Sequence, residues 1–378
     1  MRTWRVLVID DDKGHRESAR DAIVAIRHTG AANGLSVELE DDFDRGEKRI
    51  KTERFDIVIL DIRKDEDPEH KETVGADLFT RIKGDFFLPV IFYSAVPHHA
   101  SPHKSLFVAV VDKAEGVNGL KAALGALLDT RLLALQDHLD RTQKELLWSK
   151  LPEFITGAGQ GGPPTEACGV LARTLARDLR SNEVRKLLGL NETTLHPVEC
   201  YVVPASAPHP MTGDLYSVSQ NNGQSSEYWV VLNPACDLVE TEGRPPKIVS
   251  VLMAKCNNAS DHPELIAWKQ KVASNASVDK KAKAEEKATF VLTNREPHSH
   301  LLPGFHCVPD LLVSFRDLKL VPYEDLKTDH WKRIASIDSP FAESLNSRFV
   351  QYFGRIGVPD IDLTVVKSRL QPQPVPGP

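Results

Sequence analysis

Continuous apolar runs punctuate the N-terminal part of the chain, and a polar residue closes each one. Val6 to Ile9 stops at Asp10, and Phe55 to Leu60, interrupted only by Asp56, stops at Asp61. Leu88 to Tyr93 stops at Ser94, and Leu106 to Val111 stops at Asp112-Lys113. Short runs rich in β-branched residues read as strands buried on both faces. The stretches between them carry helical spacing. Ala19, Ile23 and Ile26 share one face of a segment from His15 to His28, and Leu78, Phe79 and Ile82 share one face from Gly75 to Lys83. Asp44 to Glu53 is a charged helix candidate, and Leu35 to Leu39 alternates like a strand near a sheet edge. Strands alternating with helices predict an α/β domain, a doubly wound five-stranded parallel sheet.

In such a sheet, ligands collect outside the carboxyl ends of the strands. The residues at those ends are Asp10 and Asp11, Asp61, Ser94 and Lys113. Gathered carboxylates repel one another unless a cation joins them, and hard oxygen donors suit Mg²⁺. A carboxylate beside Mg²⁺, a hydroxyl and an ammonium can attack phosphorus, because the metal and the lysine neutralise the phosphoryl oxygens. One such residue at a strand end would mean only a polar cap. Five of matching type at four strand ends point to a site.

The segments VLVIDDD, FDIVILDI, VIFYSA and VVDKA resemble the receiver domain of two-component response regulators, from residue 3 to about 130. The resemblance implies a flavodoxin-like fold with Asp61 as phosphoacceptor. It implies a Mg²⁺ ion on Asp10, Asp11, Asp61 and the backbone carbonyl of Arg63. Ser94 would contact the phosphoryl group, Lys113 would pair with it, and a histidine kinase would supply it. The sequence departs from that family at several places. The loop from Arg63 to Pro68 is long and charged, Val110 stands where many receivers carry an aromatic residue, and Ala114 follows Lys113. VPHHASPHK leaves little room for the usual fourth helix.

Asn118 to Leu151 has no proline and two glycines, and predicts a long connecting helix over 118–151. Leu128, Leu132, Leu135, Leu139, Thr142 and Leu146 follow a and d spacing, compatible with a coiled-coil homodimer through 128–146 or with packing on the same chain. GAGQGGPP marks a linker within 152–164. From 165 to 370 the pattern predicts an α+β domain with a helical lead-in, a small barrel-like sheet and a closing helix, followed by a disordered tail at 371–378. Strand candidates are Glu199–Val203, Asp214–Val218, Tyr228–Leu232, Ile248–Lys255, Phe290–Leu292, His306–Val308 and Leu311–Leu320. Leu265–Lys287 reads as a lysine-rich helix and Trp331–Gly357 as the closing helix. The lead-in LARDLRSNEVRKLLGLNETTL has the outline of a helix-turn-helix with Arg173, Arg177, Arg180, Arg185 and Lys186 facing phosphates. A solvated basic face is the favoured reading. PACDL and RIASIDSPFAESLNSRFVQYFGRIGVPD are similar to C-terminal regions of uncharacterised bacterial proteins, some fused to receivers in signalling or antiviral gene clusters.

Composition narrows the function classes. With 47 Lys+Arg against 53 Asp+Glu, the net charge of −6 gives no global attraction to nucleic acid or anionic lipid. No apolar run reaches the ~20 residues that span a bilayer, and aspartates follow the first apolar run directly, unlike a secretory leader. Cys168, Cys200, Cys236, Cys256 and Cys307 form no CxxC pair, which fits reduced thiols in the cytoplasm. Three readings follow. The first is a response regulator whose C-terminal module binds a protein partner. The second is a receiver-gated effector enzyme using Cys236, with His306 as base. The third is a DNA-binding regulator using residues 173–195.

Overall fold

A computed structural model describes residues 3–26, 34–62, 74–85, 87–150, 152, 164–205, 207–218, 227–306, 308–357 and 360–370. The chain divides into two compact units, Met1–Thr193 and Thr194–Pro378. In the first unit, β1 (Trp4–Ile9), β2 (Leu35–Glu40), β3 (Ile57–Leu60), β4 (Val90–Ser94) and β5 (Val108–Asp112) pair in parallel in the order β2-β1-β3-β4-β5. The order reverses beside β1, which is the flavodoxin-like doubly wound arrangement. α1 (Lys13–Val24), α2 (Phe43–Thr52), α3 (Val74–Asp85) and α4 (Gly116–Asp129) are the connecting and closing helices. After β4 the chain makes two 3₁₀ turns, Pro97–His99 and Ser101–His103, in place of a full helix.

Strand alternation builds the two cores. Trp4, Val6 and Val8 join Ile57, Ile59, Ile91 and Val111 under α1 and α4, while Leu7 and Ile9 join Val58, Leu60 and Phe92 under α2 and α3. Every residue of β3 and β4 is buried, so both faces of the central strands are covered. This is why they read as continuous apolar runs.

The long helix expected over 118–151 is broken. α4 ends at Asp129, Arg131 takes a left-handed φ of 60°, and α5 (Leu132–Glu145) starts anew before a π-helical turn at Leu146–Lys150. Packing explains the break. Leu128 and Leu133 both enter the core under α4, yet on one continuous helix they would lie about 140° apart. The heptad stripe therefore does not lie on one helix. Leu128 and Leu146 are buried within their own unit, while Leu132, Leu135 and Leu139 stay half-buried on α5. α5 is fixed to the amino ends of the strands: Trp4 Nε1 donates to Asp137 Oδ2 at 2.8 Å, and Arg54 pairs with Asp140.

The lead-in helices belong to this first unit, so the boundary falls after Thr193 and not at 152–164. α6 (Pro164–Asp178) and α7 (Asn182–Leu187) pack on α5, with His138 Nε2 and Asp178 Oδ2 2.7 Å apart. α7 has six residues, about 9 Å, too short to read a DNA groove. Arg63, most of the Gly/Pro linker and the 371–378 tail lie outside the described residues.

The second unit is α+β. Its seven strands form one antiparallel sheet in the order β10-β11-β9-β8-β7-β12-β6. They are β6 (Tyr201–Val202), β7 (Asp214–Val218), β8 (Glu227–Val231), β9 (Ser250–Asn258), β10 (Ser299–Leu302), β11 (Leu311–Pro322) and β12 (Trp331–Ile337). Among the described residues its outer strands, β10 and β6, do not pair with each other, so the sheet is open there where the sequence suggested a barrel. Both faces are covered, which removes the need for closure. One holds Leu215, Val230, Val313 and Phe315 beneath α11 (Phe341–Phe353), and the other holds Tyr216, Trp229, Met253 and Trp331. Three local expectations change. Phe290–Leu292 ends α10 (Val278–Leu292), where Ala288 and Val291 are the buried pair. The lysine-rich segment is two helices, α9 (Pro263–Ala273) and α10. Trp331–Ile337 is strand β12, and the closing helix starts only at Phe341. A four-residue helix, α8 (Ala235–Leu238), and a terminal helix, α12 (Leu363–Leu370), complete the unit.

Candidate functional site

The sheet brings the strand-end residues together. Asp10 directly follows β1, Asp61 directly follows β3, Ser94 closes β4 and Lys113 directly follows β5. Asp10, Asp61 and Ser94 are buried, and Asp11 is half-buried. One carboxylate oxygen each from Asp10, Asp11 and Asp61 lies within 4.8 Å of the others, the one such cluster among the described residues. Lys113 Nζ stands 2.6 Å from Asp61 Oδ2 and 2.8 Å from Asp10 Oδ2. The other oxygen of Asp61 accepts from the Ile62 amide at 2.6 Å. Leu60 pairs with Phe92 across β3 and β4, which sets Ser94 beside the Asp61 end of the sheet. Its Oγ accepts from the Val96 amide at 3.3 Å.

Electrostatics follow from this crowding. Burial pushes the Asp10 carboxyl above its ordinary range, against the pull of Lys113. Burial would depress Lys113, but the Asp61 and Asp10 carboxylates outweigh it and hold the ammonium above its ordinary value. Three carboxylates against one ammonium leave a formal −2. An all-oxygen donor set with that deficit fits a hard divalent cation such as Mg²⁺.

Two site residues escape sequence reasoning. His15 sits in the first turn of α1, whose N-cap Asp12 accepts from the His15 amide, and its Nδ1 lies 2.9 Å from Lys113 Nζ. Gly75 opens α3 so closely against the acceptor loop that an added Cβ would meet the Asp61 carbonyl oxygen at 2.0 Å. Only a helix known to start at the site could have singled out His15.

Cys236 and His306 of the alternative reading sit on separate elements. Cys236 is exposed on the short helix at Ala235–Leu238, with Asp237 Oδ1 3.6 Å from its Sγ. His306 holds a φ of 47° in a turn, and no hydrogen bond joins it to Cys236 among the described residues.

No family model and no curated protein matches the chain. Solved structures similar to its N-terminal third include the receiver domain of the PhyR response regulator from Erythrobacter litoralis. That likeness has 19% identity and a TM-score of 0.27, covering 34% of this chain and 92% of that one. Another is the response regulator TrrA from Thermotoga maritima in complex with Mg²⁺ and BeF, at 24% identity and a TM-score of 0.26, covering 33% and 99%. A third is DrrB of Thermotoga maritima, at 19% and 0.25, covering 34% and 53%.

Proposed function

We propose that the first unit is a phosphoacceptor switch in which Asp61 takes a phosphoryl group, and that the chain works as an atypical response regulator in a two-component pathway. The observation that carries this reading is Lys113 Nζ held between Asp61 and Asp10 at 2.6 and 2.8 Å, at the rim of a three-carboxylate cluster. In the reaction, a carboxylate oxygen of Asp61 attacks phosphorus. The bond from phosphorus to the donor's nitrogen or oxygen breaks, and its electron pair leaves with the donor group. Lys113 turns from the carboxylate to the charge gathered on the phosphoryl oxygens. The Ser94 hydroxyl donates to one of those oxygens. Asp10 and Asp11, with Asp61, would hold Mg²⁺, which when bound supplies Lewis-acid neutralisation of the phosphoryl group. A histidine kinase is the donor this chemistry calls for.

The second unit is proposed as the output, a module that binds a protein partner and has no catalysis of its own. Two independent cores on its sheet support this, and no hydrogen bond joins Cys236 to His306 among the described residues. The signal would leave through α4 and α5, since α5 is tied to the sheet by Trp4 and Arg54. The test is incubation with Mg²⁺ and a small acyl phosphate. Wild-type protein should take up label to near one equivalent, and chelation of Mg²⁺ or Asp61→Asn should abolish it. Full labelling of Asp61→Asn would overturn the assignment.

A further inference from the structure

Lys113 carries three protons and has three partners within 3 Å: Asp61 Oδ2 at 2.6 Å, Asp10 Oδ2 at 2.8 Å and His15 Nδ1 at 2.9 Å. Two are carboxylates of the acceptor cluster, and the third is an imidazole on the first turn of α1. An ammonium can only donate. His15 Nδ1 therefore accepts, and its ring proton sits on Nε2. The ring stands at the mouth of the site, with its side chain 49% exposed against 10% for Lys113. Its backbone is fixed by the 2.7 Å bond from the His15 amide to Asp12 Oδ1.

This arrangement matters when Asp61 is esterified. The oxygen that joins phosphorus loses its full charge, and Lys113 must release it to reach the phosphoryl oxygens. A lysine held by Asp10 alone would be free to swing on its four-carbon stem. Held also by His15, Nζ keeps its place and only its third proton turns. We propose that His15 is a positioning residue of the phosphoacceptor centre: its Nδ1 anchors Lys113 at the mouth of the site while Lys113 transfers its third hydrogen bond from Asp61 to the phosphoryl group. The role rests on Asp61 being the phosphoacceptor. His15 acts through Lys113, and its Nδ1 also lies 3.9 Å from the Asp10 carboxylate and 3.6 Å from that of Asp12.

The experiment measures the rate of phosphoryl uptake from a small acyl phosphate at saturating Mg²⁺, for wild type, His15→Leu and His15→Asn. Asparagine keeps a short-reach acceptor on the same turn, and leucine keeps bulk without one. His15→Leu should label about tenfold more slowly, the scale of one lost hydrogen bond to a charged group. The half-saturating phosphodonor concentration should stay unchanged, and His15→Asn should regain most of the rate. Equal rates in wild type and His15→Leu overturn the inference. So does equal slowing in both variants, since that would mean the ring matters as packing. Failure of wild-type protein to label at all would instead fall on the acceptor assignment. Thermal melts of both variants guard against misfolding.

Discussion

Gly75→Ala places one methyl group where the site has no room for it. The added Cβ would lie 2.0 Å from the Asp61 carbonyl oxygen and 2.9 Å from both the Asp61 carbonyl carbon and Ile62 Cα. All three are backbone atoms, so no side-chain rotation relieves the clash. The Gly75 amide also donates to the Ile62 carbonyl at 3.0 Å, which ties the start of α3 to the same strand end. Ordinary contact begins near 3.4 Å, so α3 and the Asp61 backbone must separate by about 1.4 Å. Overpacking of this kind typically costs ~1–3 kcal/mol. Displacement of a reacting group by about 1 Å can cost ~100-fold in rate. Gly75→Ala should therefore lower the rate of phosphoryl uptake by about two orders of magnitude, with a modest fall in Tm. Gly84 in the same helix supplies the control, because nothing lies within 4 Å of its added Cβ. Gly84→Ala should label at the wild-type rate and be no less stable, since alanine is the better helix former by up to ~1 kcal/mol. A folded Gly75→Ala protein that labels as fast as wild type would refute the argument that α3 is built against the acceptor.

Lys113→Met should slow labelling while tightening Mg²⁺ binding, because it removes the cation that shares Asp10 and Asp61; titration calorimetry showing weaker Mg²⁺ binding would contradict this. Burial, with a contribution from Arg348, drives the His300 imidazole down to about 4 from the ordinary 6.5. The folded state thus holds it neutral, the stability this gives is complete above about 6.5, and it is lost as pH falls toward 4, up to ~3 kcal/mol in all. Urea midpoints of wild type should drop over that window more steeply than those of His300→Gln, and parallel profiles would sink the point. Arg131→Gly should leave stability unchanged or raise it by up to ~1 kcal/mol, because glycine adopts the left-handed φ of 60° without a Cβ clash. A loss of ~1 kcal/mol, as for glycine inside a continuous helix, would restore the single long helix.

Residues at strand ends were legible because parallel strands buried on both faces announce themselves as apolar runs, and their last residues share one edge. Asp10, Asp11, Asp61 and Lys113 meet for that reason. Elsewhere one pattern served two structures. Phe290–Leu292 is apolar enough for a strand, but only Val291, with Ala288 a turn earlier, faces inward. In Trp331–Ile337, Trp331, Ala335 and Ile337 are buried, a period-two pattern hidden by the helix that follows. Pro340, just ahead of that helix, was the local sign of a boundary. The break at Arg131 carries no glycine or proline; it comes from the demand that Leu128 and Leu133 share a core. His15 and Gly75 act through distances between elements, which no spacing along the chain records.

Reductive trapping of the phosphorylated protein tests the central claim most directly. Borohydride reduces an aspartyl phosphate to homoserine, and peptide mass spectrometry then locates the modified residue. After incubation with Mg²⁺ and acyl phosphate, the modification should fall on Asp61, and Asp61→Asn should show none. Trapping at another carboxylate, or none in a folded wild-type protein that binds Mg²⁺, would contradict the account.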